Sequence, residues 1–156
     1  MASQLHLTGA DAARSPDFSK QVQAALKLPD DARLELQNVA QDAHGELNVM
    51  YAATMPIEVQ GAEFGNANGV MVDEPMSVSL RFDARGALVS SQVAPADDHH
   101  LRLVKDQIKK LAAADQIYPA SPSESIDTDA LRAQRKPWYI EMDAQGRKRL
   151  KRAYMA

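Results

Sequence analysis

Four consecutive residues, Asp97-Asp98-His99-His100, form the densest group of side chains suited to metal binding or proton transfer. Histidines that bind zinc from a helix usually lie four positions apart, so that both rings leave the same face. Adjacent helical residues point about 100° apart and do not converge on one ion. The pattern therefore favours helix capping by one of the two aspartates. It predicts no metal site and no cofactor.

Two pairs of acidic residues are candidates for acid–base chemistry, Glu58 with Glu63 and Asp73 with Glu74. Spacing alone places neither pair in a cleft. The sequence has no Gly-x-Ser-x-Gly, His-Glu-x-x-His or P-loop motif. It also has no cysteine, which excludes disulfides and thiolate nucleophiles. No catalytic residue emerges, and the pattern favours a protein that is not an enzyme.

Charge is distributed unevenly along the chain. Residues 1–130 carry 10 Lys and Arg against 19 Asp and Glu, a net charge of −9. Residues 131–156 carry 8 against 2, a net charge of +6. This asymmetry predicts that the C-terminal segment binds an anionic partner.

The candidate partner-binding residues are the aromatic and cationic side chains of that segment. They are Trp138, Tyr139, Arg147, Lys148, Arg149, Lys151, Arg152 and Tyr154. An acidic protein surface is the first candidate partner, and it belongs either to another chain or to the −9 remainder of this chain. Nucleic acid is an alternative, because cations displace counterions from phosphates and aromatic rings stack on bases. The third interpretation is an edge strand that Lys and Arg protect from aggregation, with no partner at all.

One tetrapeptide pattern, Asp-Ala-x-Gly, occurs at 42–45, 83–86 and 143–146. Asp hydrogen-bonds forward to the backbone, and Gly takes the positive φ that closes a β-hairpin with a bulge. The repeat therefore predicts three hairpin turns. Segment 33–41, before the first turn, fits either a strand or a helix by its periodicity, and the repeated turn favours a strand.

The predicted turns set the register of their flanking strands. In the middle hairpin, Phe82 lies opposite Leu88 and Leu80 opposite Ser90. The last hairpin is predicted over 137–155 with Ile140 opposite Leu150.

Two helices are predicted, over about 16–27 and 98–117. The first has Ser15 as N-cap and Pro16 at its first position. The second has an apolar stripe that includes Leu101, Val104 and Ile108. The fold class is thus α+β: a largely antiparallel sheet of hairpins covered by two helices.

The 156 residues are 45% hydrophobic and 25% charged, which is typical of one soluble domain over 1–156. Residues 119–129 are predicted as a loop or linker that leads to the basic hairpin. Met1–Ser15 lacks the features of a signal peptide, and no apolar run reaches the length of a membrane span. We expect a cytoplasmic protein with no membrane partner. The sequence does not predict its oligomeric state.

Two functional hypotheses follow. In the first, the chain is a non-enzymatic adaptor or assembly protein that docks an acidic or anionic partner through its basic hairpin. In the second, it is a small-molecule binding protein or enzyme with a pocket between a helix and the concave face of the sheet.

Overall fold

The computed structural model describes residues 5–155 and shows a mixed, mostly antiparallel sheet of seven strands combined with helices. This confirms the predicted α+β class. The strands are β1 Arg33–Gln41, β2 Leu47–Val59, β3 Val70–Phe82, β4 Leu88–Pro95, β5 Ile117–Pro119, β6 Trp138–Met142 and β7 Lys148–Arg152. The α-helices are α1 Pro16–Ala25, α2 His100–Ala113 and α3 Thr128–Ala133, and the 3-10 helices are η1 Ala10–Arg14 and η2 Ala62–Ala67. The strand order is β1-β2-β3-β7-β6-β5, and β4 also pairs with β3.

All three Asp-Ala-x-Gly segments form the same hairpin turn. In the last copy, Asp143 Oδ1 accepts hydrogen bonds from Gln145 N at 2.9 Å and Arg147 N at 2.8 Å, and Gly146 has φ +77°. The copies at Asp42 and Asp83 make the same pair of side-chain bonds. Residues 33–41 are accordingly strand β1. The periodicity of residues 33–41 fitted a strand or a helix, and the strand that the repeated turn favoured is the one observed.

The register of the last hairpin is as predicted, with Ile140 opposite Leu150. In the middle hairpin Phe82 does lie opposite Leu88, but Leu80 lies opposite Ser91. The prediction that Leu80 faces Ser90 was wrong because a β-bulge inserts Val89 and shifts the following residues by one.

Helix α1 begins at Pro16 as predicted, whereas α2 begins two residues later than predicted. Ser15 caps α1, its Oγ accepting from Asp17 N at 3.2 Å. α2 begins at His100 with His99 as N-cap, so capping by Asp97 or Asp98 was wrong. Among residues 5–155 no helix is long and apolar enough to cross a membrane.

A left-handed residue follows the C-cap of each α-helix. Lys27, Asp115 and Arg135 have φ between 54° and 58°. After Lys27, Leu28 N donates to Gln23 O at 3.0 Å, which satisfies a carbonyl that the helix end would leave open. Glycine normally fills this position. The predicted ends at about 27 and 117 therefore lie beyond the observed ends at Ala25 and Ala113.

The chain forms two compact units, and β2 and β3 contribute residues to both. Unit 1 contains residues 5–56 and Glu74–Asp97. Side-chain burial alternates along β2, where Val49 and Tyr51 lie in the core and Met50 is exposed. The Phe18 ring of α1 lies 6.0 Å from the Phe82 ring, centroid to centroid. α1 therefore packs its apolar stripe on one face of this part of the sheet.

Unit 2 contains Ile57–Asp73 and residues 98–155. Its core includes Phe64, Val70, Ile108, Ile117 and Ile140, with the apolar face of α2 packed against the strands. The two predicted helices thus serve separate cores. Within unit 2, β7 pairs with β3 on one side and β6 on the other. The interpretation of the basic segment as a protected edge strand was therefore wrong at Lys148 and Arg149, which have a strand on both sides.

Candidate functional site

A cleft in unit 2 lies where strands β3 and β7 separate. Their parallel pairing covers Val70 with Lys148 and Met71 with Arg149. Past these two pairs, the strands and helix α2 line a cavity of about 490 Å³. Drug-sized ligands commonly occupy pockets of about 300–1,000 Å³. The cleft is therefore large enough for a small molecule.

Apolar side chains make up one part of the lining. They are Met71, Val72, Val104, Ile108, Leu111, Trp138 and Leu150. Of these, Ile108 is buried in the core of unit 2, and the others are only partly covered. Partly exposed apolar surface in a concave site favours an apolar ligand group, because that group removes it from water.

Charged side chains form the rest of the lining, and Asp143 is their centre. Its Oδ2 accepts from Arg147 Nε at 3.0 Å and from Arg149 Nε at 3.2 Å. Arg149 Nη1 also lies 3.6 Å from Asp73 Oδ1. Lys151 Nζ lies 3.6 Å from Glu141 Oε1. The Asp143 carboxylate therefore belongs both to the third hairpin turn and to the rim of the cleft, which is formed by these charged side chains.

Partial burial acts to raise the pKa of Asp143, but hydrogen bonds to its carboxylate outweigh that effect. Their donors are Arg147 N, the Arg149 and Arg147 guanidinium groups and Gln145 N, and the net pKa is lowered. The carboxylate is thus ionised at neutral pH and is unsuited to donate a proton. Because the folded pKa is depressed, its stabilising effect is present above the ordinary Asp pKa and is lost as pH falls through the lowered value.

The eight predicted partner-binding residues do not form one continuous face. Side chains alternate along β6 and β7. Trp138 lies opposite Arg152 on the face that carries Ile140 and Leu150, while Tyr139 lies opposite Lys151 on the other face. Trp138, Arg149 and Lys151 line the cleft. Arg147 reaches the rim through Asp143.

The remaining basic residues make contacts within the unit. Lys148 Nζ donates to the Asn68 carbonyl. The Arg152 guanidinium lies 5.0 Å from the Trp138 ring centroid and donates to Tyr154 O at 3.1 Å. Arg132 lies 4.6 Å from the Tyr154 ring centroid. Much of the +6 charge is therefore engaged by acids, carbonyls or rings of the same unit.

The carboxylate pairs considered from the sequence do not converge. Asp73 lines the cleft, whereas Glu74 belongs to unit 1. Glu58 and Glu63 are exposed and lie outside the cleft lining. Within residues 5–155 no group of three or more His, Asp or Glu is arranged to hold a metal ion.

The sequence hypothesis of a pocket between a helix and the sheet did not identify all the residues of β3 and α2 in this lining. Met71 and Gln107 line the cleft, but neither stands in a motif. The available signal in the sequence was the apolar stripe of α2. Only Ile108 of this stripe is buried in the core, and Val104 and Leu111 remain partly exposed.

A second cleft, of about 500 Å³, lies in unit 1 and is lined mainly by amides and hydroxyls. Its lining includes Asn38, Asn48, Ser79, Ser90 and Gln92.

Comparison of the chain with protein-family models, with curated proteins and with solved structures finds no match.

Proposed function

We propose that this protein binds a small amphipathic molecule in the cleft of unit 2. The observation that carries the proposal is a cavity of about 490 Å³ with partly exposed apolar side chains on one part and ion-paired side chains on another. An apolar ligand body would cover Val104, Leu111 and Leu150. Its polar group would lie at the rim beside Glu141 and Lys151.

The charges of the lining indicate the kind of polar group. Asp73, Glu141 and Asp143 stand against Arg149 and Lys151, a net charge of −1. Arg147, which binds Asp143, brings the balance to zero. At a rim of both signs, Arg149 and Lys151 can pair with an anionic group of the ligand, and the carboxylates can accept hydrogen bonds from a donor group.

Filling the cleft tests this proposal. Val104→Phe adds an aromatic ring at a cleft-lining position of α2, so it should weaken binding of the amphipathic probe anilinonaphthalene sulfonate at least tenfold, about 1.4 kcal/mol. Trp138 is the one tryptophan in the sequence and lines the cleft. Energy transfer from Trp138 to the bound probe therefore measures occupancy of this site.

The matched control is Leu103→Phe, which introduces the same side chain at the adjacent position. Leu103 is 64% exposed and does not line the cleft. This variant should bind the probe as the unchanged protein does. Equal affinity in the two variants, with both retaining the thermal midpoint of the parent, would refute binding at the cleft.

A second candidate function is docking of an anionic partner at the end of the basic hairpin. It is favoured by the exposure of Lys151 and Arg152 beside Trp138, where Arg152 already lies over the ring. An acidic polypeptide is the first candidate partner and nucleic acid the second. Arg147 and Arg149 are poor positions for a test because both bind Asp143.

Reversing two exposed charges should separate this candidate from a general effect of charge. Lys151→Glu with Arg152→Glu should greatly reduce retention on immobilised poly-glutamate, because the cations at the hairpin end would contact it. Lys109→Glu with Lys110→Glu changes net charge equally on the exposed face of α2 and should retain binding. Equal loss in both variants would contradict a hairpin site. Retention on single-stranded DNA alone would identify nucleic acid as the partner class.

A further inference from the structure

Strand β4 forms an open edge of the sheet in unit 1. It pairs with β3 on one side. The bridge between His6 and Ala87 lies just before it begins. Among the residues that the structure describes, no strand pairs with the other side of Leu88–Pro95. All five residues from 89 to 93 are exposed.

The other strand edges carry stronger protection against pairing. β1 has Arg33 and Glu35 and a bulge after Leu36. β5 has three residues and ends at Pro119. Charges, bulges, prolines and short length are the devices by which sheets prevent edge-to-edge association.

β4 has eight residues and no charge. Its bulge at Val89 and Pro95 at its end leave a regular stretch between them. Val89 is 50% exposed and Val93 is 39% exposed. An uncharged, exposed edge of this length is suited to accept another strand.

The sequence of the edge indicates which strand it accepts. Val89-Ser90-Ser91-Gln92-Val93 reads nearly the same in both directions about Ser91. An antiparallel pair about a two-fold axis at Ser91 places Ser90 of one copy opposite Gln92 of the other, and Val93 of each copy beside the bulge at Val89 of its partner. No charged side chain lies in the strand, so self-pairing opposes no like charges. We propose that two copies of this chain associate through their β4 strands, centred on Ser91.

Sedimentation velocity tests this inference directly. The chain has a mass of 17.1 kDa, and we expect a species of twice that mass. Ser91→Lys places two like charges opposite each other at the axis and should raise the dissociation constant of the dimer at least tenfold. Gln37→Lys adds the same exposed charge on β1 and should leave it unchanged. A monomer throughout, or a dimer that Ser91→Lys does not weaken, would overturn the proposal.

A single introduced cysteine tests the register, because the natural sequence has none. Residues opposite each other in an antiparallel pair have Cα atoms about 4.5–5.5 Å apart, within the range of a disulfide. Ser91→Cys should therefore form a covalent dimer under mild oxidation, and Gln37→Cys should remain a monomer on a denaturing gel. A dimer that does not cross-link through position 91 would contradict pairing centred there.

Discussion

Replacing Phe82 with alanine should lower the free energy of unfolding of unit 1 by about 3–5 kcal/mol. Phe82 is fully buried at the end of β3, and its ring lies against Phe18 of α1. The substitution removes the aromatic contact and leaves a cavity that neighbours cannot fill. Small domains have about 5–15 kcal/mol of stability, so the loss should be plain in urea unfolding.

Met50→Ala is the control for this prediction. Met50 lies in strand β2 of the same unit but is 46% exposed, so the change should alter stability by no more than about 0.5 kcal/mol. An effect of Phe82→Ala as small as that of Met50→Ala would show that the Phe18 and Phe82 rings do not form the core of unit 1.

Gly86→Ala should destabilise the protein by about 3 kcal/mol, several times the effect of Gly146→Ala. Gly86 has φ +90°, and a Cβ atom there would lie 2.5 Å from the Leu7 carbonyl oxygen. That oxygen belongs to the backbone, and Leu7 N donates to Gly86 O at 2.9 Å. The clash therefore cannot be relieved by rotating a side chain.

Gly146→Ala is the control, because it measures the free-energy cost of a positive φ without the contact with the Leu7 carbonyl oxygen. Gly146 occupies the same turn position with φ +77°, and beyond its two chain neighbours no atom of residues 5–155 lies within 4 Å of an added Cβ. Gly146→Ala should cost about 1 kcal/mol, the typical penalty of a positive φ for alanine. Equal losses at the two positions in thermal or urea unfolding would show that the Leu7 contact contributes nothing.

The local turn chemistry was predictable because it depends on four consecutive residues. Asp favours the turn by accepting hydrogen bonds from the backbone and Gly by its positive φ, and all three copies in this chain form a hairpin. The register of the last hairpin followed from it. The middle register failed after Phe82 because a bulge at Val89 depends on packing around the strand and has no signal in the sequence.

The position of β7 was not predictable from local pattern. Five of the six residues 147–152 are cationic, which is typical of an exposed edge. In the structure β7 lies between β3 and β6. Its Arg149 forms ion pairs with Asp143 and Asp73, and its Lys151 forms one with Glu141. Of these acids only Asp73 comes from a distant part of the chain, so among the three it is the partner that the count of charges in residues 131–156 omitted.

The cleft depends on where two strands stop pairing, which is a property of the assembled sheet. The parallel pairing of β3 with β7 joins residues almost eighty positions apart. The sequence did identify Trp138, Arg149 and Lys151 as functional candidates, and these line the cleft. It assigned them to a partner surface because nothing in their spacing indicates the concavity between them.

The most direct test of the account is a map of amide and indole chemical shifts during titration of the isotopically labelled protein with decanoate. We predict saturable shifts at the Trp138 indole and at Val72, Val104 and Leu150, and loss of the shifts at Trp138, Val72 and Leu150 in Val104→Phe. Shifts confined to unit 1, or shifts at Trp138, Val72 and Leu150 that Val104→Phe leaves intact, would contradict ligand binding in the cleft of unit 2.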